Sequence, residues 1–252
     1  MIDRDSLVAY TDELLQARAM RDWSPNGLQV EGRHEVRRLI TGVTACQALL
    51  DEAAAAAADL LLVHHGWFWK GEPPQLTGMR YQRARTVLDA GFSLVAYHLP
   101  LDVHPEYGNN AELGRRLEIT TQGREEAGGI PGLLWHGHLP APVTAPELAQ
   151  RLGAALGSQP LHVGPDAGPI ERVAWCTGAG HDFLDQARAL GVDAFISGEV
   201  AERTTHLARE QGIHYFAAGH HATERDGVQA LGRHLAARFD LEHRFIDIPN
   251  PV

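Results

Sequence analysis

LLLVHHGWFW, residues 60–69, is the stretch around which the rest of the chain can be interpreted. Its four aliphatic residues follow Asp59 and predict a strand buried on both faces, because a half-exposed strand alternates apolar and polar residues. His64 and His65 lie where this strand ends, and Gly66 permits the chain to turn there. Open α/β sheets bind ligands just beyond the carboxyl ends of their strands. We therefore expect the two histidines at a binding site.

The composition predicts a cytoplasmic protein with one large domain or two smaller ones in its 252 residues. Lys and Arg total 22 and Asp and Glu total 32, giving a net charge of −10. This charge disfavours a general nucleic-acid binder, which needs cations to neutralise phosphates, although a local basic patch stays possible. Two cysteines are too few for a disulfide framework. The sequence predicts neither a secretory signal nor a membrane span.

Strand and helix patterns alternate along most of the chain, which predicts an α/β fold. Helices are expected over residues 5–20, 79–90 and 145–156, with Thr144 capping the last. A further helix is expected from about Thr223. Pro100 predicts an exposed loop after the strand over residues 92–97. The stretch TQGREEAGGIPG, residues 121–132, predicts a loop, and we place there the boundary between a first repeat, residues 1–125, and a second, residues 126–252.

Two pairs of segments predict that these halves are an internal duplication. VTACQALLDEAAAAAADLLLVHHG aligns with VAWCTGAGHDFLDQARALGVDAFISGE, so that Cys46 matches Cys176. Downstream, AGFSLVAYHLPLD resembles QGIHYFAAGHHATE, each with an apolar strand followed by histidine and a carboxylate. Alternating strands and helices also occur by chance. The matching histidine and carboxylate residues nevertheless favour duplicated βαβ-type units.

Candidate metal ligands cluster at the predicted strand ends: His64 with His65, His98 with Asp102, and His220 with Glu224. The last pair is four residues apart, so both side chains lie on one face of a helix. Five or six ligands exceed what one zinc ion needs, whereas two ions need a bridging carboxylate and about two further ligands each. Imidazole and carboxylate groups suit Zn, Fe, Mn, Co or Ni, which the sequence does not rank.

We assign Asp102 as the bridge between two divalent ions, and the other ligands are then His64, His65, His220 and Glu224. Two cations that share a carboxylate lower the pKa of a bridging water toward neutrality, which predicts a hydrolase. His98 is either a general acid–base group, a partner of a ligand or a hydrogen-bonded core residue. His221 competes with His220 for one ligand position, because both are spaced to reach Glu224 along the helix.

Simpler interpretations exist for each of these residues. The adjacent histidines would be ordinary polar residues at a strand end, and Asp102 would cap a loop. Glu199 would line the cleft or stabilise the start of a helix. The aromatic residues 67–69 would form one wall of a nucleobase site, or would belong to the core or to a subunit interface.

The chain resembles a conserved bacterial family that is named for NGG-one-interacting factor three and often labelled GTP cyclohydrolase I type II homologues. The motifs that carry the resemblance span nearly the whole chain: PNGLQVEG, LLLVHHGWFW, AYHLPLDVHPEYGNN, ISGEV and GHHATER. The resemblance implies an intertwined α/β fold with mixed sheets, a dinuclear metal site and a homohexameric ring whose sites face an internal cavity. Carried over one by one, its ligands are His64, His65, Asp102, His220 and Glu224. The family pattern thus selects His220 and leaves His221 to contact substrate or move a proton.

Two functions are compatible with these features. The first is a dinuclear-metal hydrolase of a nucleotide-like or phosphorylated small molecule, in which His98 or His221 moves the proton. The family label implies cyclohydrolase ring opening, and phosphoester cleavage is equally compatible with two metals. The alternative is a non-catalytic ring-shaped scaffold or a metal-sensing interaction protein.

Overall fold

The structure, a computed structural model, describes residues 1–165 and 167–252. The chain forms two compact units: unit 1 comprises Met1–Gly108 and Gly227–Pro249, and unit 2 comprises Asn109–Asp226 and Asn250–Val252. The chain therefore passes from unit 1 into unit 2 and back. The first change of unit follows residue 108, whereas the repeat boundary was predicted after residue 125. Leu113 and Leu117 lie in the core of unit 2, which explains the earlier change.

The described residues form thirteen strands, numbered in chain order: β1 (Ile2–Asp3), β2 (Gly27–Val30), β3 (Glu35–Val36), β4 (Arg38–Thr44), β5 (Leu60–His65), β6 (Ser93–Ala96), β7 (Thr120–Ala127), β8 (Ile130–Val143), β9 (Leu161–Val163), β10 (Ile170–Cys176), β11 (Ala194–Ser197), β12 (His214–Ala217) and β13 (Glu242–Phe245). The same residues form nine α-helices: α1 (Arg4–Leu14), α2 (Gln47–Ala55), α3 (Gly78–Ala90), α4 (Leu99–Val103), α5 (Asn109–Arg116), α6 (Ala145–Leu156), α7 (Leu184–Ala189), α8 (Glu202–Gln211) and α9 (His220–Phe239). Within this described part of the chain, no helix has both the length and the apolar character needed to cross a bilayer.

The main sheet of unit 1 has five strands in the order β13-β4-β5-β6-β2. Its first four strands are parallel, and β2 pairs antiparallel with β6 at the edge. Strand β5 lies in the middle. Leu60 and Leu62 pack in one hydrophobic cluster, and Leu61 and Val63 pack in another. Successive side chains of a strand point to opposite faces, so β5 is buried on both, as the sequence predicts.

The sheet of unit 2 has six strands in the order β7-β8-β10-β11-β12-β9. Its central strands β10, β11 and β12 are parallel, and the remaining pairs are antiparallel. Each unit thus combines parallel and antiparallel strands, which confirms the predicted α/β fold with mixed sheets. The two units also share a pattern: three parallel strands, β4-β5-β6 or β10-β11-β12, are followed by an antiparallel edge strand next to the third.

The predicted loop over residues 121–132 is wrong. Strand β7 occupies most of this stretch and pairs with β8 through a hairpin turn at Gly128 and Gly129, which have φ angles of 59° and 79°. Side chains along β7 are mostly exposed or half-buried. A polar edge strand of this kind lacks the apolar signal by which strands are recognised, and its glycines resemble those of a loop.

The exposed loop predicted after Pro100 is also wrong. Residues 99–103 form the short helix α4, in which Leu99, Leu101 and Asp102 are buried. Proline is tolerated in the first turn of a helix, because the N–H that it lacks would have no partner within the helix. Helix α9 likewise begins at His220 rather than near Thr223. Helix α6 has the predicted bounds and a capping box between Thr144 and Glu147.

A pair of histidines makes the stability of unit 2 dependent on pH. Nε2 of His162 on β9 lies 3.0 Å from Nδ1 of His214 on β12, so one ring donates a hydrogen bond to the other. Burial lowers the pKa of both rings, and the charge of His162 further lowers the pKa of His214. The unfolded chain therefore binds more protons below its histidine pKa of about 6.5. The free energy of unfolding should fall as the pH is lowered through that value.

We expect His162→Phe to reduce this pH dependence, because it removes one titrating ring from the pair. Urea unfolding of the wild type and the variant at pH 7.5, 6.5 and 5.5 would measure the effect. His206→Gln, at a histidine whose side chain is 65% exposed, serves as the control. Equal pH dependence in the wild type and His162→Phe would contradict the prediction.

Candidate metal centre

Three histidines converge at the carboxyl end of the sheet in unit 1. His64 and His65 are the last residues of β5, and His98 follows β6 after one further residue. One ring nitrogen of each lies within 4.8 Å of a ring nitrogen of the other two. The ring centroid of His64 lies 4.5 Å from that of His65 and 5.2 Å from that of His98. Neighbouring parallel strands end at one edge of a sheet, which brings these residues together.

Two of these rings are oriented by acceptors that fix the position of the proton. Nδ1 of His64 donates to the carbonyl oxygen of Tyr97 over 2.9 Å, and Nδ1 of His98 donates to Oδ1 of Asp22 over 2.7 Å. A carbonyl or an ionised carboxylate only accepts, so Nδ1 carries the proton and the neutral ring has its lone pair on Nε2. Metal-binding histidines are usually held in this way.

The third ring is held by the neighbouring strand. Nδ1 of His65 lies 3.3 Å from Oγ1 of Thr44, the residue opposite it on β4. The glycine that follows acts through its size rather than through an unusual backbone angle. A Cβ atom at Gly66 would overlap the side chain of Gln29 and the Cβ of Ala96. Gly66 therefore lets the chain beyond the histidines pack closely against β2 and β6.

Asp102 lies beside His64 in this cluster. It belongs to α4, which begins directly after His98, and its side chain is only 6% exposed. Oδ1 of Asp102 is 3.5 Å from Nε2 of His64. The structure of unit 1 therefore brings together the predicted residues His64, His65, His98 and Asp102.

Asp22 is a residue of this site that the sequence analysis does not single out. Its carboxylate accepts hydrogen bonds from Nδ1 of His98, from the backbone N–H of Leu99 and from the side chain of Asn26. Burial raises the pKa of Asp22, but the hydrogen bond and charge of His98, together with its other hydrogen bonds, outweigh burial and lower it. Aspartate in a turn before proline is common, so no sequence signal distinguishes it.

Unit 2 contains a second cluster at the start of α9. Nδ1 of His220 donates to Oε1 of Glu199 over 2.6 Å, and its Nε2 lies 3.0 Å from Oε2 of Glu224. Burial lowers the pKa of His220, but hydrogen bonds and charge from Glu224 and Glu199 outweigh it and raise the pKa to about 9. Glu199, for which the sequence left two roles open, orients this histidine.

A glycine turn after β10 packs against this second cluster. Gly178 has a φ angle of +65°, and a Cβ atom there would overlap Oε1 of Glu224. Its backbone N–H donates to Oγ1 of Thr223 over 3.1 Å. His221, the competitor of His220, is buried, and its backbone N–H donates to the carbonyl oxygen of Val252. A role of the His221 side chain in substrate contact or proton transfer stays a prediction.

Comparison with known proteins identifies the family. Residues 2–251 match the profile of Duf34/NIF3 (NGG1p interacting factor 3). The chain belongs to the Duf34/NIF3 family. A relative from Allochromatium vinosum, named GTP cyclohydrolase 1 type 2 homolog, is 56% identical over 252 residues, which are 100% of this chain and 98% of the relative. The resemblance that rests on the sequence motifs is confirmed.

Solved structures of similar proteins have the same fold. The structure titled "protein ybgI, unknown function" has a TM-score of 0.96 and 50% sequence identity, and 100% of each chain is covered. The protein TTHA1606 from Thermus thermophilus has a TM-score of 0.91 and 37% identity, again over 100% of each chain. These values establish that the Duf34/NIF3 chain shares the fold of both proteins, and the names of the two proteins state no reaction.

The hydrogen bonds of Asp22 predict that Asp22→Asn destabilises the protein. An asparagine has one acceptor oxygen in place of two, so either the His98 ring or the buried N–H of Leu99 loses its acceptor. Such a loss costs about 1–3 kcal/mol. Urea unfolding would measure the change in the free energy of unfolding.

Asp89→Asn is the matched control for Asp22→Asn, because the Asp89 side chain is 67% exposed and pairs with Arg85 on the surface of α3. Substitutions of this kind usually change stability by less than about 0.5 kcal/mol. A free energy of unfolding for Asp22→Asn equal to that of Asp89→Asn would show that the carboxylate does not hold His98.

Proposed function

We propose that the protein binds two divalent metal ions and is a hydrolase of a nucleotide-like or phosphorylated small molecule. The observation that carries the proposal is the convergence of three histidines whose Nδ1 atoms are each held by an oxygen atom. A histidine that only stabilises the core does not require two neighbours oriented in the same way.

The donor groups fit divalent ions of the transition series. Imidazole nitrogen and carboxylate oxygen are the ligands that Zn, Fe, Mn, Co and Ni share. The side chains of Asp102 and Glu224 are 6% and 3% exposed, and buried carboxylates in proteins are paired with cations or coordinate metals. In the proposal, Asp102, predicted above as the shared carboxylate, would hold the two ions together with His64, His65, His220 and Glu224.

Bound ions of this kind supply an activated water near neutral pH and neutralise developing negative charge. The chain supplies the proton transfer. Asp22 holds the Nδ1 proton of His98 and directs Nε2 toward the other two histidines. Its negative charge also stabilises the ring when Nε2 takes up a proton, as a buried aspartate does in hydrolytic triads. His98 is therefore the proposed general acid–base group, and His221 is the second candidate.

The name of the Allochromatium vinosum relative, GTP cyclohydrolase 1 type 2 homolog, supports a nucleotide-like substrate. The proposal also includes the homohexameric ring, which rests on the family resemblance, and the cytoplasmic location, which rests on composition. Ring opening of a heterocycle and cleavage of a phosphoester are both compatible with the proposed ligand set.

Asp102→Ala tests the proposal most directly, because it removes the proposed bridging ligand. Protein loaded with Mn, Fe or Zn would be screened against nucleotides and phosphodiesters, and bound metal would be measured by elemental analysis. We expect two ions per chain in the wild type and a loss of at least about 100-fold in kcat/KM in the variant, more than changes at the partners of ligands usually cause. His64→Ala should behave in the same way.

His206→Ala provides the control, since this histidine lies on the exposed surface of α8. Turnover that neither Asp102→Ala nor His64→Ala affects would overturn metal-centred catalysis. Metal binding without turnover of any substrate, together with loss of the ring in Asp102→Ala, would favour the alternative of a non-catalytic scaffold or metal-sensing protein.

Gly178→Ala tests the contribution of unit 2 to metal binding. The added Cβ overlaps Oε1 of Glu224 and lies 3.1 Å from Nε2 of His220, so the contact between these two side chains has to change. We expect at least a tenfold weaker affinity for Zn²⁺, measured by competition with a chelator, because removing one good interaction of about 1.4 kcal/mol has that effect.

Gly212→Ala separates this effect from backbone strain. Gly212 has a φ angle of +63°, close to that of Gly178, but no atom lies within 4 Å of a Cβ built there. Both variants should lose about 1 kcal/mol of stability. Only Gly178→Ala should bind Zn²⁺ more weakly, and equal affinities in the two variants would argue against Glu224 as a ligand.

A further inference from the structure

A pocket of about 230 Å³ lies beside the histidine cluster in unit 1, and His65 forms part of its wall. We propose that this pocket binds a planar heteroaromatic ring that carries an anionic group, as a nucleotide does. The inference rests on the proposed function, because it names the substrate class of the same site. It is carried by three features of the wall: its aromatic residues, its arginines and its size.

The aromatic wall is formed by Trp67, Phe68 and Trp69. The indole N–H of Trp67 donates to the carbonyl oxygen of Ala45 over 3.0 Å, and that of Trp69 donates to the carbonyl oxygen of Gly66 over 3.1 Å. Both indoles are thus held in place before any ligand binds. Binding costs less conformational entropy when the side chains of the site are already fixed.

Phe68, the residue between these two tryptophans in the sequence, has a strained backbone conformation. Its φ angle is +66°, a region that large side chains rarely adopt, and its ring is 50% exposed. Strained residues of this kind cluster at ligand sites. Two half-buried, anchored indoles beside an exposed phenylalanine favour a flat ligand that stacks, because aromatic pairs gain about 0.5–1.5 kcal/mol beyond the area that they bury.

Two arginines of α3, Arg80 and Arg83, line the same pocket. Arg80 is 3.5 Å from Glu72, which partly balances its charge. Nε of Arg83 is buried and has no hydrogen-bond partner among the described residues. A buried N–H of a charged group costs free energy until an acceptor reaches it, and arginine pairs best with phosphate or carboxylate oxygens. The guanidinium has five N–H donors, so an anionic group on the ligand would pair with Arg83 where its side chain lines the pocket.

The volume of the pocket limits the size of the ligand that it can hold. Its volume of about 230 Å³ lies just below the range of about 300–1,000 Å³ found for drug-sized ligands. One ring system with its anionic group fits this space better than a dinucleotide or a peptide does. A second copy of the chain is the competing occupant, since Leu76 and Met79 in the wall are exposed and apolar. The enclosed Arg83 Nε and the adjoining His65 favour a small anionic ligand instead.

Equilibrium dialysis of the purified, full-length protein against 5′-GMP, guanosine and ribose 5-phosphate tests the inference. We expect 5′-GMP to bind at least tenfold more tightly than either fragment, because only 5′-GMP offers both the ring and the anionic group. Arg83→Gln should remove the preference for 5′-GMP over guanosine, and Phe68→Ala should weaken the binding of both. The matched control is Arg85→Gln, on the same helix, whose side chain is 65% exposed and pairs with Asp89.

Three results would overturn the inference: no binding of 5′-GMP at about 1 mM, the weak limit of usual substrate affinities; an unchanged preference in Arg83→Gln; or a change of oligomeric state in Phe68→Ala with 5′-GMP binding intact. The last would identify the wall as an interface between copies.

Asp102→Ala separates the two proposals, because it removes the proposed metal bridge and leaves the pocket unchanged. If wild-type protein shows no turnover but binds 5′-GMP through Arg83, only the proposed function fails.

Discussion

The hydrogen bond from Nδ1 of His64 to the carbonyl oxygen of Tyr97 is the contact on which the candidate centre depends. It joins the end of β5 to the residue that follows β6, so the same parallel pairing that builds the sheet also orients the ring. Because a carbonyl oxygen only accepts, the bond fixes the tautomer and leaves the lone pair of the neutral ring on Nε2. His64 is fully buried, which leaves its ring little freedom to turn. The rigid sheet thereby fixes the orientation of the His64 ring, whose Nε2 could bind a metal ion.

In both units a carboxylate orients a histidine at the end of the sheet, but the two carboxylates come from different positions in the fold. In each, a histidine after the third parallel strand precedes a carboxylate by four residues: His98 and Asp102 in unit 1, His220 and Glu224 in unit 2. Each of these histidines donates its Nδ1 proton to a second carboxylate, which is Asp22 or Glu199. Asp22 precedes β2, whereas Glu199 follows β11, so these two partners do not occupy equivalent positions. If the units arose by duplication, the strand ends were kept and the orienting carboxylates were recruited separately.

Membership of the Duf34/NIF3 family supports the fold, whereas the arrangement of side chains in each cluster supports the proposed chemistry. The family profile and the relatives identify the fold and its lineage. The chemistry has to be argued from the side chains, because one fold can host several activities. Anchored histidines beside buried carboxylates support metal binding, while a pocket with two fixed indoles and an arginine whose Nε is buried supports a flat, anionic ligand. His65 belongs to both the cluster and the pocket wall, which links the two inferences.

The sequence alone determined the features that depend on local pattern. The apolar run of residues 60–63 specified a strand buried on both faces, and the motifs identified the family. The polar strand ends indicated where histidines and carboxylates cluster. It misjudged β7 and α4, because a polar edge strand and a proline in the first turn of a helix both resemble loops. Only the tertiary structure decided that Asp22 and Thr44 orient histidines, that Gly66 is required for space, and that α3 adds arginines to the pocket. These contacts join residues far apart in the chain, and packing rather than local sequence determines which of them meet.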